Sequence, residues 1–199
     1  MRYITMLLLA FTFLAPARGI EQPTGLQEAS TTYPKASLNG IEDLRLGSPP
    51  PAKLAFPGLV YKTTNLADYD EEGRPITRTF LKLYHRGYYV GSGMLDEQKR
   101  LVELEIVDWR VSFGGDFAPS STWNHLKTQL PQVKLHFADN LDALVAESPE
   151  LPGLQVHFSP SLYGTQSRLK GEFTPLSLNG LPGKSKASKM RLFWIPSEI

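Results

Sequence analysis

The segment Leu101–Phe113 decides the fold, and its sequence is LVELEIVDWRVSF. Apolar residues recur in it at every second position, which is the period of a β-strand that buries one face. The parity of this alternation changes after Ile106, because Val107 and Trp109 continue it on the other face. A strand keeps its parity unless a β-bulge inserts a residue, so the sequence predicts a strand with a bulge at Ile106 and Val107. A helix over residues 96–107 is the alternative, and the two-residue spacing favours the strand.

Further strands are predicted before this segment. The polar, acidic stretch of residues 65–78 predicts a loop, and the dipeptide Arg86-Gly87 predicts a turn. This order indicates a hairpin or a meander. The strands themselves are rich in β-branched and aromatic residues, and they are Leu59–Thr64, Thr79–His85 and Tyr88–Val90.

Two strict alternations lie further along the chain, at Val133–Phe137 and Leu154–Phe158. Leu135 and Val156 face the core in this pattern, since their neighbours are polar. Sixteen residues separate the two segments, enough for a helical crossover, so the sequence predicts a βαβ-like unit with parallel or nearby strands. Short helices are expected at residues 120–130 and 139–147, and later strands at Arg168–Phe173, Leu176–Leu178 and Met190–Ile195.

These elements predict a single α+β domain over residues 59–199. Its sheet is strand-dominated, mixed or antiparallel, and two short helices pack on it. Residues 20–58 have few apolar side chains and no period, and Gly47–Pro51 ends in three prolines that favour polyproline II. We therefore expect residues 20–58 to be a weakly ordered leader.

Residues 1–19 have the layout of a secretory signal peptide. Arg2 supplies the positive charge, Ile4–Ala15 is a twelve-residue apolar run, and residues 15–17 have the small-residue pattern of a cleavage site. Cleavage is expected after Ala17 or Gly19. The apolar run is shorter than the roughly 20 residues that span a bilayer, and no other run is as long, so no membrane span is expected after cleavage.

The composition excludes several classes of function. Lys and Arg number 21 against 20 Asp and Glu, and this net charge of +1 argues against nucleic-acid binding. The chain has no cysteine, which excludes thiol nucleophiles, zinc–thiolate sites and disulfides. Ser92 lies in a G-S-G triplet without the G-x-S-x-G spacing of a hydrolase elbow, and no phosphate-binding glycine loop occurs. We expect no cofactor, and a binding protein rather than an enzyme.

Five side chains are candidates for a metal site. His136 and His157 lie on the polar side of the two alternating segments, so both rings are expected on one face of a sheet. Asp68, Asp70 and Glu72 precede a glycine with the spacing of the first half of a calcium loop, but no glutamate stands at position 12. We expect two half-exposed strand histidines and an acidic surface turn rather than a bound metal.

Aromatic residues and an arginine surround the predicted turn. Tyr84, Tyr88 and Tyr89 flank Arg86, and Trp109 follows in the next strand. Tyrosine, tryptophan and arginine are enriched at protein–protein interfaces, where they contribute most of the binding energy. These five residues are the predicted binding site for another protein. A sugar-stacking surface and a purely structural role in the core are the alternatives.

The sequence thus predicts a secreted or periplasmic, non-catalytic protein that binds another protein. In composition the chain resembles small secreted effectors of host-colonising microbes. This resemblance implies a role in virulence, a host or competitor target, and translocation into a host cell, where disulfides would be useless. The alternative from a different class is an exported hydrolase or a carbohydrate-binding module, with or without a metal.

Overall fold

The computed structural model of the protein describes residues 32–70, 72–114, 117–138, 143–159, 174–176 and 181–196. From Tyr33 onward these residues belong to one structural unit, Tyr33–Ile199. Within the described ranges the chain forms thirteen strands and one helix. In chain order they are β1 Lys35–Ser37, β2 Gly40–Ile41, β3 Leu44–Arg45, β4 Leu59–Tyr69, β5 Pro75–His85, β6 Tyr88–Leu95, β7 Leu101–Ile106, β8 Ser112–Phe113, α1 Trp123–Gln129, β9 Lys134–Ala138, β10 Ala143–Glu147, β11 Leu154–Phe158, β12 Thr174–Leu176 and β13 Ala187–Phe193.

The long strands form one antiparallel sheet, and most of the short strands form a second. The nine described strands of the first sheet follow the order β12-β9-β10-β11-β13-β7-β6-β5-β4. Strand β13 comes last in the chain order of these strands, yet it lies inside the sheet, paired with β11 and with β7. The second sheet has the order β3-β2-β1-β8, in which β1 and β8 run parallel. The structure confirms a strand-dominated, largely antiparallel fold.

The hydrophobic core lies against one face of the nine-stranded sheet. Leu104 from that sheet, Ile41 and Leu44 from the small sheet and Trp123 from the helix are fully buried in the same cluster. The indole of Trp123 packs edge-to-face on Phe158, with ring centroids 5.7 Å apart. The small sheet and the helix therefore cover this face, and strand alternation sends the intervening side chains to the opposite face.

The leader predicted over residues 20–58 is wrong for residues 33–58. This part of the chain forms β1, β2 and β3, and it contributes Ala36, Ile41, Leu44 and Leu54 to the core. Each of these strands has only two or three residues, so their apolar side chains show no repeating period in the sequence. Residues 20–31 lie outside the described residues.

One of the two predicted helices is confirmed, and the other is wrong. The helix expected at residues 120–130 is α1, and the Thr122 side chain caps it by accepting a hydrogen bond from the backbone N–H of His125 at 3.3 Å. In place of the helix expected at residues 139–147, residues 143–147 form strand β10. Residues 139–142 lie outside the described residues.

Burial on both faces explains why the sequence of β10 favours a helix. Leu144 and Ala146 point into the main core, whereas Ala143 and Val145 form a second buried cluster with Ala138 on the opposite face. Such a strand is a continuous apolar run, which periodicity cannot distinguish from a buried helix. β10 pairs antiparallel with both β9 and β11, so the predicted βαβ crossover is also wrong. β9 and β11 run parallel to each other with β10 between them.

The change of parity in the opening segment marks a change of sheet. β7 ends at Ile106, where the backbone N–H groups of Val107 and Asp108 both donate to the Val90 carbonyl, at 2.9 and 3.3 Å. The chain then turns, and Ser112–Phe113 joins the small sheet as β8. The prediction of one bulged strand through residue 113 is therefore wrong.

The other strand predictions differ mainly in their ends. The predicted acidic loop over residues 65–78 is largely strand, because β4 and β5 form a hairpin that pairs from Leu59 opposite His85 to Tyr69 opposite Pro75. The predicted turn at residues 86–87 is confirmed. Of the later strands, Met190–Ile195 corresponds to β13, Leu176 ends β12, and Arg168–Phe173 lies outside the described residues.

The buried residues of the small sheet give a direct test of its role in the core. We expect Leu44→Ala to lower the free energy of unfolding by about 2–5 kcal/mol, because it removes buried methyl groups and leaves a cavity. The control, Val60→Ala, changes an exposed side chain of β4 and should cost less than about 1 kcal/mol. Urea denaturation measures both. Equal stability of the two variants would contradict the packing of the small sheet on the core.

Candidate functional site

The predicted binding residues lie around the turn between β5 and β6. Arg86 and Gly87 have φ angles of 50° and 85°, as the two central residues of a type I′ turn require. The register pairs His85 with Tyr88 and Tyr84 with Tyr89. Because successive strand residues face opposite sides, the structure separates Tyr88 from Tyr89. The five predicted residues therefore do not form one patch.

One part of the predicted set lies on the sheet face that is opposite the main core. The rings of Tyr84 and Tyr89 meet edge-to-face, with centroids 5.8 Å apart. The ammonium group of Lys62, from the neighbouring strand β4, lies 5.6 Å from the centroid of the Tyr84 ring. Tyr84 is half-buried by these neighbours, and Tyr89 is exposed.

The other part belongs to a cluster that we call the arginine stack, formed by Tyr33, Tyr88, Asp108 and Arg110. The guanidinium of Arg110 lies 5.0 Å from the ring centroid of Tyr33 and 4.7 Å from that of Tyr88. The Asp108 carboxylate accepts hydrogen bonds from Arg110 Nε at 2.8 Å and from Nη2 at 2.7 Å. This forked pair fixes the plane of the guanidinium between the two rings.

Asp108 and Arg110 remain ionised in the stack. Burial acts to raise the pKa of Asp108, but the hydrogen bonds from the side chain and backbone of Arg110 outweigh it and lower the pKa. The hydrogen bond with Asp108 raises the pKa of Arg110 in turn. Arg110 and Tyr33 were missed in the sequence because each stands alone there. The only local signal was the D-x-R spacing of Asp108 and Arg110.

A buried histidine lies beneath the stack. The ring of His85 packs edge-to-face against Tyr33 and Phe56, with centroid distances of 5.5 and 5.6 Å. Burial lowers the pKa of His85, and the charge of Arg86 lowers it further, so the ring is neutral at neutral pH. Its Nε2 atom is buried and has no hydrogen-bond partner among the described residues. His85 therefore supports Tyr33 from below as a neutral aromatic ring.

A cleft of about 470 Å³ adjoins this region and is lined by residues 52–61. Phe56 belongs both to the cleft and to the packing around His85. The lining is mainly apolar, with Lys53 as its charged residue, and it contains no carboxylate or imidazole. This cleft therefore contains no acid–base pair, whereas a second cleft, of about 380 Å³, is lined by His136 and Glu147.

The two predicted metal-site histidines lie on one face, as expected, but other side chains lie between them. The register places His136 and His157 on either side of Val145 in one row across β9, β10 and β11. His136 Nε2 lies 3.7 Å from a Glu147 carboxylate oxygen, and the other carboxylate oxygen accepts from Gln155 Nε2 at 2.7 Å. The Gln155 oxygen in turn lies 3.3 Å from His157 Nε2. The two imidazoles thus end a polar chain and do not converge.

His157 is more buried than the sequence predicted. Only 1% of its surface is exposed, so the expectation of a half-exposed ring is wrong for this residue. Burial lowers its pKa to about 3, and the positive charges of Lys189 and Arg191 add to the effect. In the described part of the chain, no three His, Asp or Glu side chains come together as a metal site would require.

The acidic turn uses its carboxylates for contacts within the hairpin. Asp70 Oδ1 accepts from the backbone N–H groups of Glu72 and Arg74, at 3.1 and 2.7 Å. The Arg74 side chain forms ion pairs with both Asp70 and Glu72, and Arg78 forms one with Asp68. The hydrogen bond from the Tyr69 backbone and then that from Arg78 lower the pKa of Asp68. All three carboxylates thus form ion pairs with arginine side chains of the same hairpin.

Comparisons with known proteins bear on the fold. No protein-family model matches the chain, and no curated protein sequence matches it. The structure is similar to the crystal structure of the uncharacterized protein yfeY from Escherichia coli, with a TM-score of 0.55 and 14% sequence identity. The alignment covers 80% of this chain and 99% of that chain. At this identity the likeness shows a shared fold alone.

The structure also bears on the expected absence of a membrane span. Helix α1 has seven residues, and the described ranges contain no helix whose length and apolar character would let it cross a membrane.

The burial of His157 predicts that the free energy of unfolding depends on pH. His157 binds a proton near pH 6.5 when unfolded but only near pH 3 when folded, so the unfolded state binds more protons between these values. We expect the free energy of unfolding to fall by about 2 kcal/mol from pH 7.5 to pH 5.0 on account of His157. His85 adds a loss of the same sign. In the His157→Gln variant, the part of this pH-dependent loss of stability that comes from His157 should be absent.

Urea denaturation of the wild type and of His157→Gln at both pH values measures this share. Each protein is compared with itself at the second pH, so the packing change that the substitution causes cancels. An identical pH dependence in the two proteins would contradict the low pKa of His157.

Proposed function

We propose that the protein is an exported, non-catalytic protein that binds another protein through the arginine stack and the neighbouring Trp109. Tyr33, Tyr88 and Arg110 hold one another in place, and Trp109 follows Asp108 directly in the chain. Trp109 is 65% exposed and Tyr88 is 62% exposed. The observation that carries the proposal is this pair of exposed aromatic side chains beside an arginine that is already fixed.

Fixed side chains favour binding because less freedom is lost when the complex forms. Ordering a flexible side chain at an interface costs roughly 0.5–1.5 kcal/mol. Arg110 has several rotatable bonds, yet Asp108 and the two rings already hold its guanidinium. Tryptophan, tyrosine and arginine are also the residue types that most often dominate binding energy. The surface therefore has both the chemistry and the rigidity that an interface needs.

The exported character of the proposal rests on the sequence of residues 1–19. A secreted or periplasmic protein meets foreign surfaces, which suits an effector-like role against a host or competitor protein. The lack of cysteine fits a chain that ends its route in a reducing cytosol. The stability of the domain then depends on the core rather than on disulfides, as the burial of its small sheet supports.

The proposal predicts different effects for two adjacent tyrosines. Trp109→Ala and Tyr88→Ala should each weaken binding of the partner by about tenfold or more, because residues at the centre of an interface contribute about 2 kcal/mol or more. Tyr89→Ala is the matched control, since Tyr89 is exposed but points to the opposite face. Affinity capture from extracts of host and neighbouring cells, followed by titration of the captured protein, measures the effect.

The control also shows which surface binds. Loss of capture in Tyr89→Ala with retention in the other two variants would move the interface to the opposite face. Equal capture by all three variants, with wild-type folding, would remove the arginine stack from the binding site.

A further inference from the structure

Strand β4 forms one edge of the nine-stranded sheet and exposes a row of backbone hydrogen-bonding groups. The backbone N–H of Asp70 donates to the Arg74 carbonyl at 3.0 Å, which closes the hairpin with β5. Because bonding alternates along an antiparallel strand, the even-numbered residues of β4 bond to β5. The odd-numbered residues turn their N–H and C=O groups outward, and among the described residues no backbone group bonds to Tyr61, Thr63, Asn65 or Ala67 from that side.

This edge lacks most of the devices that protect an edge strand. Proteins protect their edges with charged side chains, proline, bulges, short strands or a covering element, and of these β4 has the charged side chains Lys62 and Asp68. β4 has eleven residues with no proline, and its register with β5 runs without a shift from end to end. Val60, Leu66 and Tyr69, three of the large exposed apolar side chains, lie on this one strand. Leu66 is 51% exposed and Tyr69 is 67% exposed.

The charges of β4 are unbalanced within one copy of the chain. Lys62 stands directly opposite Lys82 of β5, and like charges at opposed positions destabilise a strand pair. Asp68 lies on the same face of β4, six residues after Lys62, and forms an ion pair with Arg78. Lys62 thus has a positive neighbour on β5 and an open side toward the edge.

We propose that a second copy of the chain pairs antiparallel with this edge, β4 to β4, about a two-fold axis at Asn65. Outward-facing residues then meet outward-facing residues, as a hydrogen-bonded ladder requires. This register places Lys62 opposite Asp68 of the second copy and, by symmetry, Asp68 opposite Lys62 of the second copy. Each contact occurs twice across the axis.

The apolar side chains also match in this register. Tyr61 faces Tyr69 of the second copy, an aromatic pair of the kind that stabilises neighbouring strands. Thr64 faces Leu66 of the second copy on the face that carries the charges. The ladder satisfies the free backbone groups and joins the two nine-stranded sheets into one continuous sheet. The interface is separate from the arginine stack, so it stands or falls independently of the proposed function.

Charge reversal gives a selective test of this pairing. Sedimentation velocity of the protein, measured over a range of protein concentrations, should show a monomer–dimer equilibrium. Lys62→Asp alone and Asp68→Lys alone should each raise the dimer dissociation constant by about tenfold or more, because each places like charges opposite one another twice. An equimolar mixture of the two variants should recover the dimer, since both aspartates of the first variant would then face lysines of the second.

Two further variants separate the edge from general effects of charge and folding. Lys82→Ala removes the like charge beside Lys62 on the neighbouring strand, away from the edge, and should leave the dimer intact. Thr63→Pro removes one outward N–H group without touching the ladder to β5, and it should dissociate the dimer. Thermal unfolding of each variant shows whether it is folded.

The proposal is overturned if the wild type stays monomeric over the whole concentration series. It is also overturned if the charge variants, folded, dimerise as the wild type does, because the dimer then uses another surface. If the mixed variants do not recover the dimer, the register about Asn65 is wrong. A second copy of the chain is then not the partner that pairs with this edge.

Discussion

Strand β13 is the element on which the nine-stranded sheet depends, because it joins two groups of strands. On one side it pairs with β7, which continues into β6, β5 and β4, and on the other with β11, which continues into β10, β9 and β12. Met190 and Leu192 are fully buried on the core face of this strand. On the opposite face Lys189 forms an ion pair with Glu105 at 2.7 Å. Backbone pairing, core packing and charge thus all act at one strand.

The arginine stack takes its geometry from the point where β7 ends. The backbone of Asp108 is still bonded to the Val90 carbonyl there, so its carboxylate has a fixed position relative to the sheet. That carboxylate orients Arg110, and Arg110 orients the ring of Tyr88. The turn that carries Asp108 and Arg110 is therefore attached to the sheet at Val90, and these two residues position the exposed ring of Tyr88.

Sequence reasoning succeeded for strands with one buried face and failed where burial follows another pattern. Leu135 and Val156 are buried as predicted, because their polar neighbours make the two-residue period visible. β10 is buried on both faces and has no such period. Ile41 is fully buried in a two-residue strand, which is too short to show one. Part of the binding surface was predicted from its aromatic composition, but the stacking of Arg110 on Tyr33 depends on residues far apart in the chain, and no local pattern could reveal it.

The position of β13 also sets the order in which the chain can fold. Lys189 of β13 and Glu105 of β7 are 84 residues apart in the sequence, and the two groups of strands join only when these two strands pair. Contacts between such distant residues must overcome a large loop-closure entropy, and they slow folding. A ribosome therefore releases most of this chain before the two groups of strands can join. The proposed export would carry the chain through a membrane as unfolded polypeptide, and a sheet that forms late is compatible with that route.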